Sequence, residues 1–443
     1  MDAAPPSSSK FEALSKRFAK TLADEDTENV QYAVEGLAYA TTRPEVRELL
    51  SGEGESLKQI VKLLESAPAK SSLAYGALSI IAHLTRYQPA ETEEQKRVRE
   101  LKSYANAAGK LQASPLVDDA HVSKRCRLVF DSGVTPVLVK HGKAASIASL
   151  SLIISIIFSF SVTPSFRGQL AQQGAVRLLI AAWTALPENQ NTTRRTAAQA
   201  LARILISTNP ALVFRQQTPQ TAAIRPLASI IPPDQTADTR DLLPTFESLL
   251  ALTNLASTDD DNDTTRRAIV RTAWDDIEEL LFSSNARIST AAVELVCNLV
   301  QSPTEAVTLF GDGSPKAATR VQLILALADA DDVKTRSAAG GALASLTAFE
   351  SIVSAVLAQP RGAAVVLGLC RDDQDEGLRH RGAVVVHNML SQEGKVGELA
   401  REKLLTANGV EALTECAKKS RTPEVVEAVV HALKVLLGAD DEA

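Results

Sequence analysis

The stretch Phe246-Glu-Ser-Leu-Leu-Ala-Leu-Thr-Asn-Leu-Ala-Ser257 constrains this chain more than any other. Leu249, Leu252 and Leu255 recur at helical spacing, and Ala251 and Ala256 are small enough for a neighbouring helix to approach closely, so the stretch reads as a buried inner helix. Polar Asn254 stands inside that apolar phrase. The phrase returns in weakened form as Ala197-Ala-Gln-Ala-Leu-Ala-Arg-Ile204, Ala291-Ala-Val-Glu-Leu-Val-Cys-Asn-Leu299, Ala338-Ala-Gly-Gly-Ala-Leu-Ala-Ser-Leu346 and Arg381-Gly-Ala-Val-Val-Val-His-Asn-Met389. A chain that repeats one helical phrase folds as an array of one unit and not as a set of unlike domains.

One large apolar residue near the end of each such helix gives the series Leu84, Ile157, Ile204, Leu255, Leu299, Leu346, Met389 and Leu436. The successive separations are 73, 47, 51, 44, 47, 43 and 47 residues. Six of these seven fall at or near the ~40–47 residue period of HEAT and armadillo repeats. The fold class that follows is all-α, an armadillo/HEAT-like right-handed superhelical solenoid, with shorter helices such as 175–183 and 274–282 covering its outer face. Aromatic residues are 4% of the chain against a heavy use of Ala and Leu, which suits stacked helices and argues against strands. The apolar run 147–160 falls short of the ~20 residues that span a bilayer and is interrupted by serines, so it reads as a buried repeat helix.

Residues 1–9, rich in Pro and Ser, read as a disordered leader, and 10–443 as one repeat domain. The helix from Phe11 to Leu22 is expected to act as a lid on one end of the array. The large gap in the series holds a polar insertion at about 86–124, with Tyr87, Tyr104 and Asn106 as natural contact residues, although packing of the loop onto the solenoid is an equal reading of the tyrosines. A second long connection, 215–245, rich in Pro and Gln, reads as a spacer with a helical island at 227–231.

The formal net charge of −6 gives no basic excess for nucleic acid, so a protein partner is expected and neither nucleic acid nor membrane. Cys126, Cys297, Cys370 and Cys416 lie far apart, as reduced core thiols in a cytosolic, cytoplasmic protein without a signal peptide. There is no phosphate loop, no H-E-x-x-H and no G-x-S-x-G, and no histidine pairs with a Cys or carboxylate at ligand spacing. The acidic run 259–263 lacks the glycine and terminal Glu of a calcium loop. The expectation is a protein that is not an enzyme, with no cofactor and no metal.

The residue just before the marker is His83, Arg203, Asn254, Asn298, Ser345 or Asn388 in six repeats, while Ile156 and Val435 break the pattern. Stacking would line these polar groups along one concave face about 8–10 Å apart, where an Asn offers what an extended peptide backbone needs. The alternative is that each Asn bonds the carbonyls of its neighbouring repeat and only stiffens the array. Arg167 and Gln173, in Arg167-Gly-Gln-Leu-Ala-Gln-Gln-Gly174, are further groove candidates, a solvated loop being the simpler reading, and Gly174 reads as a turn residue.

Phe246-Glu-Ser-Leu-Leu-Ala-Leu-Thr-Asn-Leu-Ala-Ser257, Ala198-Gln-Ala-Leu-Ala-Arg-Ile-Leu-Ile-Ser-Thr-Asn-Pro210, Arg167-Gly-Gln-Leu-Ala-Gln-Gln-Gly174 and Val34-Glu-Gly-Leu-Ala-Tyr39 together resemble the UCS domain of the myosin-assembly chaperones. Leu73-Ala-Tyr-Gly-Ala-Leu78, Leu84-Thr-Arg-Tyr87, Glu93-Glu-Gln95 and Tyr104-Ala-Asn106 also resemble the fungal branch. The resemblance runs from about residue 28 to the C-terminus, in order. It implies an armadillo-type superhelix whose groove and long loop engage the myosin motor domain, folding or stabilising it without ATP hydrolysis of its own. No tetratricopeptide helices precede the domain here, so Hsp90, a candidate partner, would be met by a route other than such repeats; the chain is expected to be a short member or an excised domain. The reading from a different class is a general armadillo adaptor or scaffold that binds a short linear peptide.

Overall fold

A proline opens many of the repeats of this sequence, and in several a left-handed residue separates the first two helices. The computed structural model describes residues 8–22, 26–88, 97–98, 114–214, 218–237, 240–258 and 261–438. Among the described residues every regular element is a helix. Two compact segments, Met1–Ala251 and Leu252–Ala443, are taken in turn.

The first segment opens with a pair, α1 (Ser8–Thr21) and α2 (Thr27–Ala40). A complete repeat follows as α3 (Pro44–Gly52), α4 (Gly54–Ser66) and α5 (Ser72–Thr85). The next is α6 (Asp119–Asp131), α7 (Val134–Gly142) and α8 (Ile147–Ser161), and then α9 (Pro164–Gln172), α10 (Ala175–Ala185) and α11 (Asn191–Ile206). A shortened repeat follows as α12 (Pro210–Val213), α13 (Ile224–Ala228) and α14 (Leu243–Ala256), the division between segments falling within α14. The second segment contains α15 (Thr264–Leu280) with α16 (Ala286–Leu299), then α17 (Pro303–Phe310), α18 (Pro315–Ala328) and α19 (Val333–Leu346). It finishes with α20 (Glu350–Ala358), α21 (Gly362–Cys370) and α22 (Glu376–Leu390), then α23 (Gly394–Thr406), α24 (Gly409–Lys419) and α25 (Pro423–Leu437).

Local chemistry sets these boundaries. Pro44, Pro164, Pro210 and Pro303 sit at the start of a first helix, where the missing N–H costs nothing and the fixed φ suits a helix. Gly133 (φ 80°), Gly174 (φ 92°) and Asn408 (φ 61°) turn the chain from first to second helix in the left-handed region that favours Gly and Asn. Third helices begin at side-chain caps: Ser71 accepts from the Ala74 N–H, Ser146 from Ser149, Asn285 from Arg287, Asp332 from Thr335 and Asp375 from Leu378.

The third helices pack in series within each segment, α2, α5, α8 and α11 in the first and α16, α19, α22 and α25 in the second. The eight marker residues fall one to each third helix from α5 to α25, and each is at most 1% exposed. Burying such a side chain contributes roughly 1.5–3 kcal/mol, which is why the period survives while the rest of the sequence drifts. An arginine, half-buried at 47 and 167 and buried at 266, then closes the helix ends: Arg47 Nε donates to Thr41 O (2.8 Å), Arg167 Nε to Ser161 O (2.8 Å) and Arg266 Nε to Ala256 O (3.0 Å). Each satisfies a carbonyl left over at or just beyond the end of a third helix.

Three features differ from the sequence-based expectation. The helix α6 begins at Asp119, inside the range read as an insertion; it lacks an opening proline and starts with a polar run, which hid it. The stretch 215–245 is not a spacer: α13 lies at 224–228, and Ile224, Leu227, Ile230 and Ile231 are at most 1% exposed. Thr245 Oγ1 and Ser248 Oγ donate to Ile231 O and Leu227 O, tying this shortened helix to α14. The helix α1 begins at Ser8, inside the range read as a disordered leader, and packs on α2 and α3, with the Phe18 ring against Gly36. Residues 1–7 of the expected leader, and 89–96 and 99–113 of the expected insertion with Tyr104 and Asn106, lie outside the described residues. No single helix among the described residues is long and apolar enough to cross a membrane.

Candidate functional site

Much of the polar series on the third helices bonds the neighbouring repeat, whereas Ser345 Oγ donates within its own helix to Gly341 O at 3.4 Å. Asn298 Nδ2 donates to Thr253 O at 3.1 Å, and Asn388 Nδ2 donates to Ala344 O at 2.9 Å and to Thr347 Oγ1 at 3.3 Å. His83 makes a related contact in the first segment: Nδ1 lies 3.0 Å from Thr41 Oγ1, which is itself 3.0 Å from Ala38 O. Burial, followed by the nearby Arg47 charge, holds the His83 imidazole below its ordinary pKa. Ala38, Thr253 and Ala344 each come one residue before the series position of the preceding third helix, Tyr39, Asn254 and Ser345. At Asn298 and Asn388 the amide donor is therefore spent on the neighbouring repeat, the stiffening role that was the alternative to a client ladder. Asn254 itself is half-buried near the end of α14.

Arg203 does not line an open groove. Its side chain is 9% exposed, Nε donates to Glu247 Oε1 at 2.8 Å, and the guanidinium stacks over the Phe158 ring at 4.6 Å. Gln199 Nε2 donates to the other oxygen, Glu247 Oε2, at 2.8 Å. Arg167 joins this cluster electrostatically and is anchored by Ser161 O and, at 3.0 Å, Ser207 Oγ. Burial lowers the Arg167 pKa, with Glu247 opposing the shift and Arg203 adding to it. The structure thus brings two expected site residues, Arg167 and Arg203, together around a carboxylate that the sequence reading missed: Arg203 and Glu247 form a nearly buried pair and Arg167 lies half-buried beside it. Gln173 is half-buried at the end of α9, where its N–H bonds Gln169 O. Tyr87 is half-buried beside Ser123 and Cys126 of α6, and burial pushes its pKa up to about 12.

What the second segment does leave open is a groove of about 450 Å³ across α16, α19 and α22. Glu294, Cys297 and Asn298 come from α16, Lys334 and Ser337 from α19, and Asp375 and Arg381 from the start of α22. Gly341 of α19 lies close by: a Cβ there would come 2.8 Å from Cys297 Sγ and 3.5 Å from Arg381 Nε, so a side chain at 341 would crowd both. Arg381 Nη1 donates to Ser337 O at 2.6 Å, which fixes the guanidinium along the wall. Burial raises the Cys297 thiol pKa, while the Arg381 charge works against that shift. The groove presents both charge signs and amide and hydroxyl groups side by side, a lining suited to a peptide and not to a single ion.

A positional signal for these residues was present. Gln199 lies four residues before Arg203 and Glu294 four before Asn298, while Glu247 lies seven before Asn254 and Arg381 seven before Asn388. Residues one and two turns N-terminal of the polar series share its helix face. Among the described residues no group of three or more His, Cys, Asp and Glu side chains is placed to hold a metal ion. His121 Nδ1 sits 3.3 Å from Glu48 Oε1, a tertiary pairing 73 residues apart in sequence.

No family model matches the chain. Ring assembly protein 3 of Schizosaccharomyces pombe is 29% identical over 383 residues, covering 86% of this chain and 50% of that protein. The solved structure of UNC-45 from Drosophila melanogaster matches with a TM-score of 0.79 at 26% identity, over 98% of this chain and 52% of that one. The myosin chaperone UNC-45 from C. elegans, solved in complex with an Hsp90 peptide, shares the fold with a TM-score of 0.78 at 21% identity, over 96% of this chain and 44% of that one. This chain spans about half the length of the curated relatives it matches. It is an all-α, armadillo-like solenoid chain, homologous across most of its length to the UCS-domain proteins Ring assembly protein 3 and UNC-45 that its phrases resemble.

Proposed function

We propose that this protein is a cytosolic, non-enzymatic chaperone that binds the myosin motor domain and promotes its folding and stability. The observation that carries the reading is kinship over nearly the whole chain with UNC-45, which is a myosin chaperone in C. elegans. The open groove over α16, α19 and α22 supports it physically. An extended client segment needs backbone partners at intervals and tolerant side-chain contacts, and Asn298 Oδ1, Ser337, Lys334 and Glu294 supply both within one cleft. An Hsp90 partnership belongs to the same proposal, by kinship with the C. elegans protein that binds an Hsp90 peptide.

The test is to warm a purified myosin motor domain with and without this protein and to follow light scattering. Suppression of scattering at near-equimolar protein is the expected result. An unchanged scattering curve, with a short linear peptide still bound by the groove, would assign the chain to the adaptor class.

A further inference from the structure

The last repeat of the second segment carries a stacking face on which nothing stacks. On the third helices of this segment, the positions six before and one after each marker residue are buried by the repeat that follows. Around Leu346 of α19 they are Gly340, beside which Leu378 and Arg381 of α22 lie, and Thr347, which accepts the Asn388 hydrogen bond. Around Leu299 they are Val293 and Val300, and around Met389 they are Ala383 and Leu390, all buried. Around Leu436 they are Val430 and Leu437, which are 40% and 59% exposed, since no helix follows α25 among the described residues. Half-buried Val426 and Leu433 extend these two into a stripe at spacings of 4, 3 and 4 residues, the pattern of a helix-pairing seam. An end repeat that faces water is expected to turn a polar surface outward, and α25 turns this one. The five residues after Gly438, Ala-Asp-Asp-Glu-Ala, bring no large apolar side chain to cover it.

Charge identifies the occupant. Glu427 follows Val426 and Lys434 follows Leu433, so both stand on the same flank of the stripe. Both are exposed, and neither has an ion-pair partner among the described residues. Two copies of α25 laid parallel would set glutamate against glutamate and lysine against lysine. Laid antiparallel about a two-fold axis, Val430 faces the partner's Leu433, Val426 faces the partner's Leu437, and Glu427 comes within a turn of the partner's Lys434. We propose that this face pairs with a second copy of the chain, α25 against α25 in antiparallel orientation. The pairing is independent of the groove over α16, α19 and α22 and of any client held there.

Sedimentation velocity on the full chain tests this. The weight-average mass should rise with concentration from that of one 47.2 kDa chain towards that of two, and stop there, because a two-fold contact closes on itself. Glu427→Lys sets lysine against lysine twice across the axis and should weaken the dimer about tenfold; Lys434→Glu should do the same with glutamates. The double exchange Glu427→Lys with Lys434→Glu should restore the parent affinity, which a parallel or non-specific contact would not do. Leu437→Lys, at an exposed position, should abolish the dimer with circular dichroism and melting unchanged. A chain that stays monomeric to about 100 µM, or assemblies that grow beyond two copies, would overturn the proposal. So would a dimer that survives Leu437→Lys, single exchanges without effect, or a folded double exchange that fails to restore pairing.

Discussion

Replacing Glu247 by alanine should be among the most damaging single changes in the first segment. Glu247 is 12% exposed and its two oxygens hold Arg203 Nε and Gln199 Nε2, both at 2.8 Å. Removing the carboxylate leaves a guanidinium buried without its counter-ion beside a second cation, Arg167. Breaking one side of a buried pair costs about 3–5 kcal/mol. At roughly 2–4 °C per kcal/mol for a body of this size, the first segment should melt about 6–20 °C lower. The paired change Arg203→Met with Glu247→Leu removes both charges and should recover most of that loss, since apolar replacements of similar volume are often neutral. Calorimetric melting of the parent, the single variant and the pair measures this. The exposed pair Lys58–Glu55, with side chains 68% and 83% exposed, serves as the control, where Lys58→Ala should change stability by under about 1 kcal/mol. A Glu247→Ala loss as small as the control's, or a double variant as unstable as the single, would refute the view that Arg203 is held by burial and pairing.

Asn298→Ala with Asn388→Ala removes three inter-repeat bonds and should destabilise the second segment by about 2–3 kcal/mol at about 1 kcal/mol each; urea unfolding that leaves the midpoint unmoved would return both residues to a client role. Glu278 accepts from Arg320 Nε at 2.7 Å and from Nη2 at 3.0 Å, and this hydrogen bonding lowers its pKa from 4.5. A depressed carboxylate stabilises the fold above its unfolded pKa, so the contribution is intact above about pH 4.5 and lost as pH falls through the lower folded value. Glu278→Gln should flatten acid unfolding in that window, and an unchanged acid profile would argue against the linkage. Gly362→Ala places a Cβ 2.1 Å from Val356 O, which the backbone has to move to accept; a loss of about 1–3 kcal/mol in thermal unfolding is expected, and a neutral variant would show that the α20–α21 turn is not so closely packed.

The array was legible because one requirement recurs. Each third helix needs the same buried face, so Leu84 through Leu436 kept their phase whatever the surface did. The turn chemistry was legible too: Gly174 is the left-handed residue between α9 and α10. The fourth repeat was not, because its first two helices are too short to show a period and Pro219, Pro226, Pro232 and Pro233 made it look like a linker. The site was half legible. The polar series marks the correct helix face, but whether Asn298 faces a client or the Thr253 carbonyl depends on a partner 45 residues away, and whether Arg203 is open or buried depends on Glu247, 44 residues away. Those are tertiary facts, set by how consecutive repeats register, and no local pattern carries them. The room around Cys297 Sγ and Arg381 Nε comes from Gly341, whose missing side chain leaves no mark in a hydrophobic period.

The central claim is that the groove over α16, α19 and α22 holds a myosin client, and the direct measurement fills it. Ser337 is half-buried on the groove wall, and its backbone carbonyl, which Arg381 uses, is kept in Ser337→Trp while the indole occupies much of the roughly 450 Å³. Heat-induced light scattering of a myosin motor domain, measured with the parent and with a Ser337→Trp chain whose melting is checked beforehand, should show protection by the parent that the variant loses. Full protection by the folded variant, or none by the parent, would contradict the account.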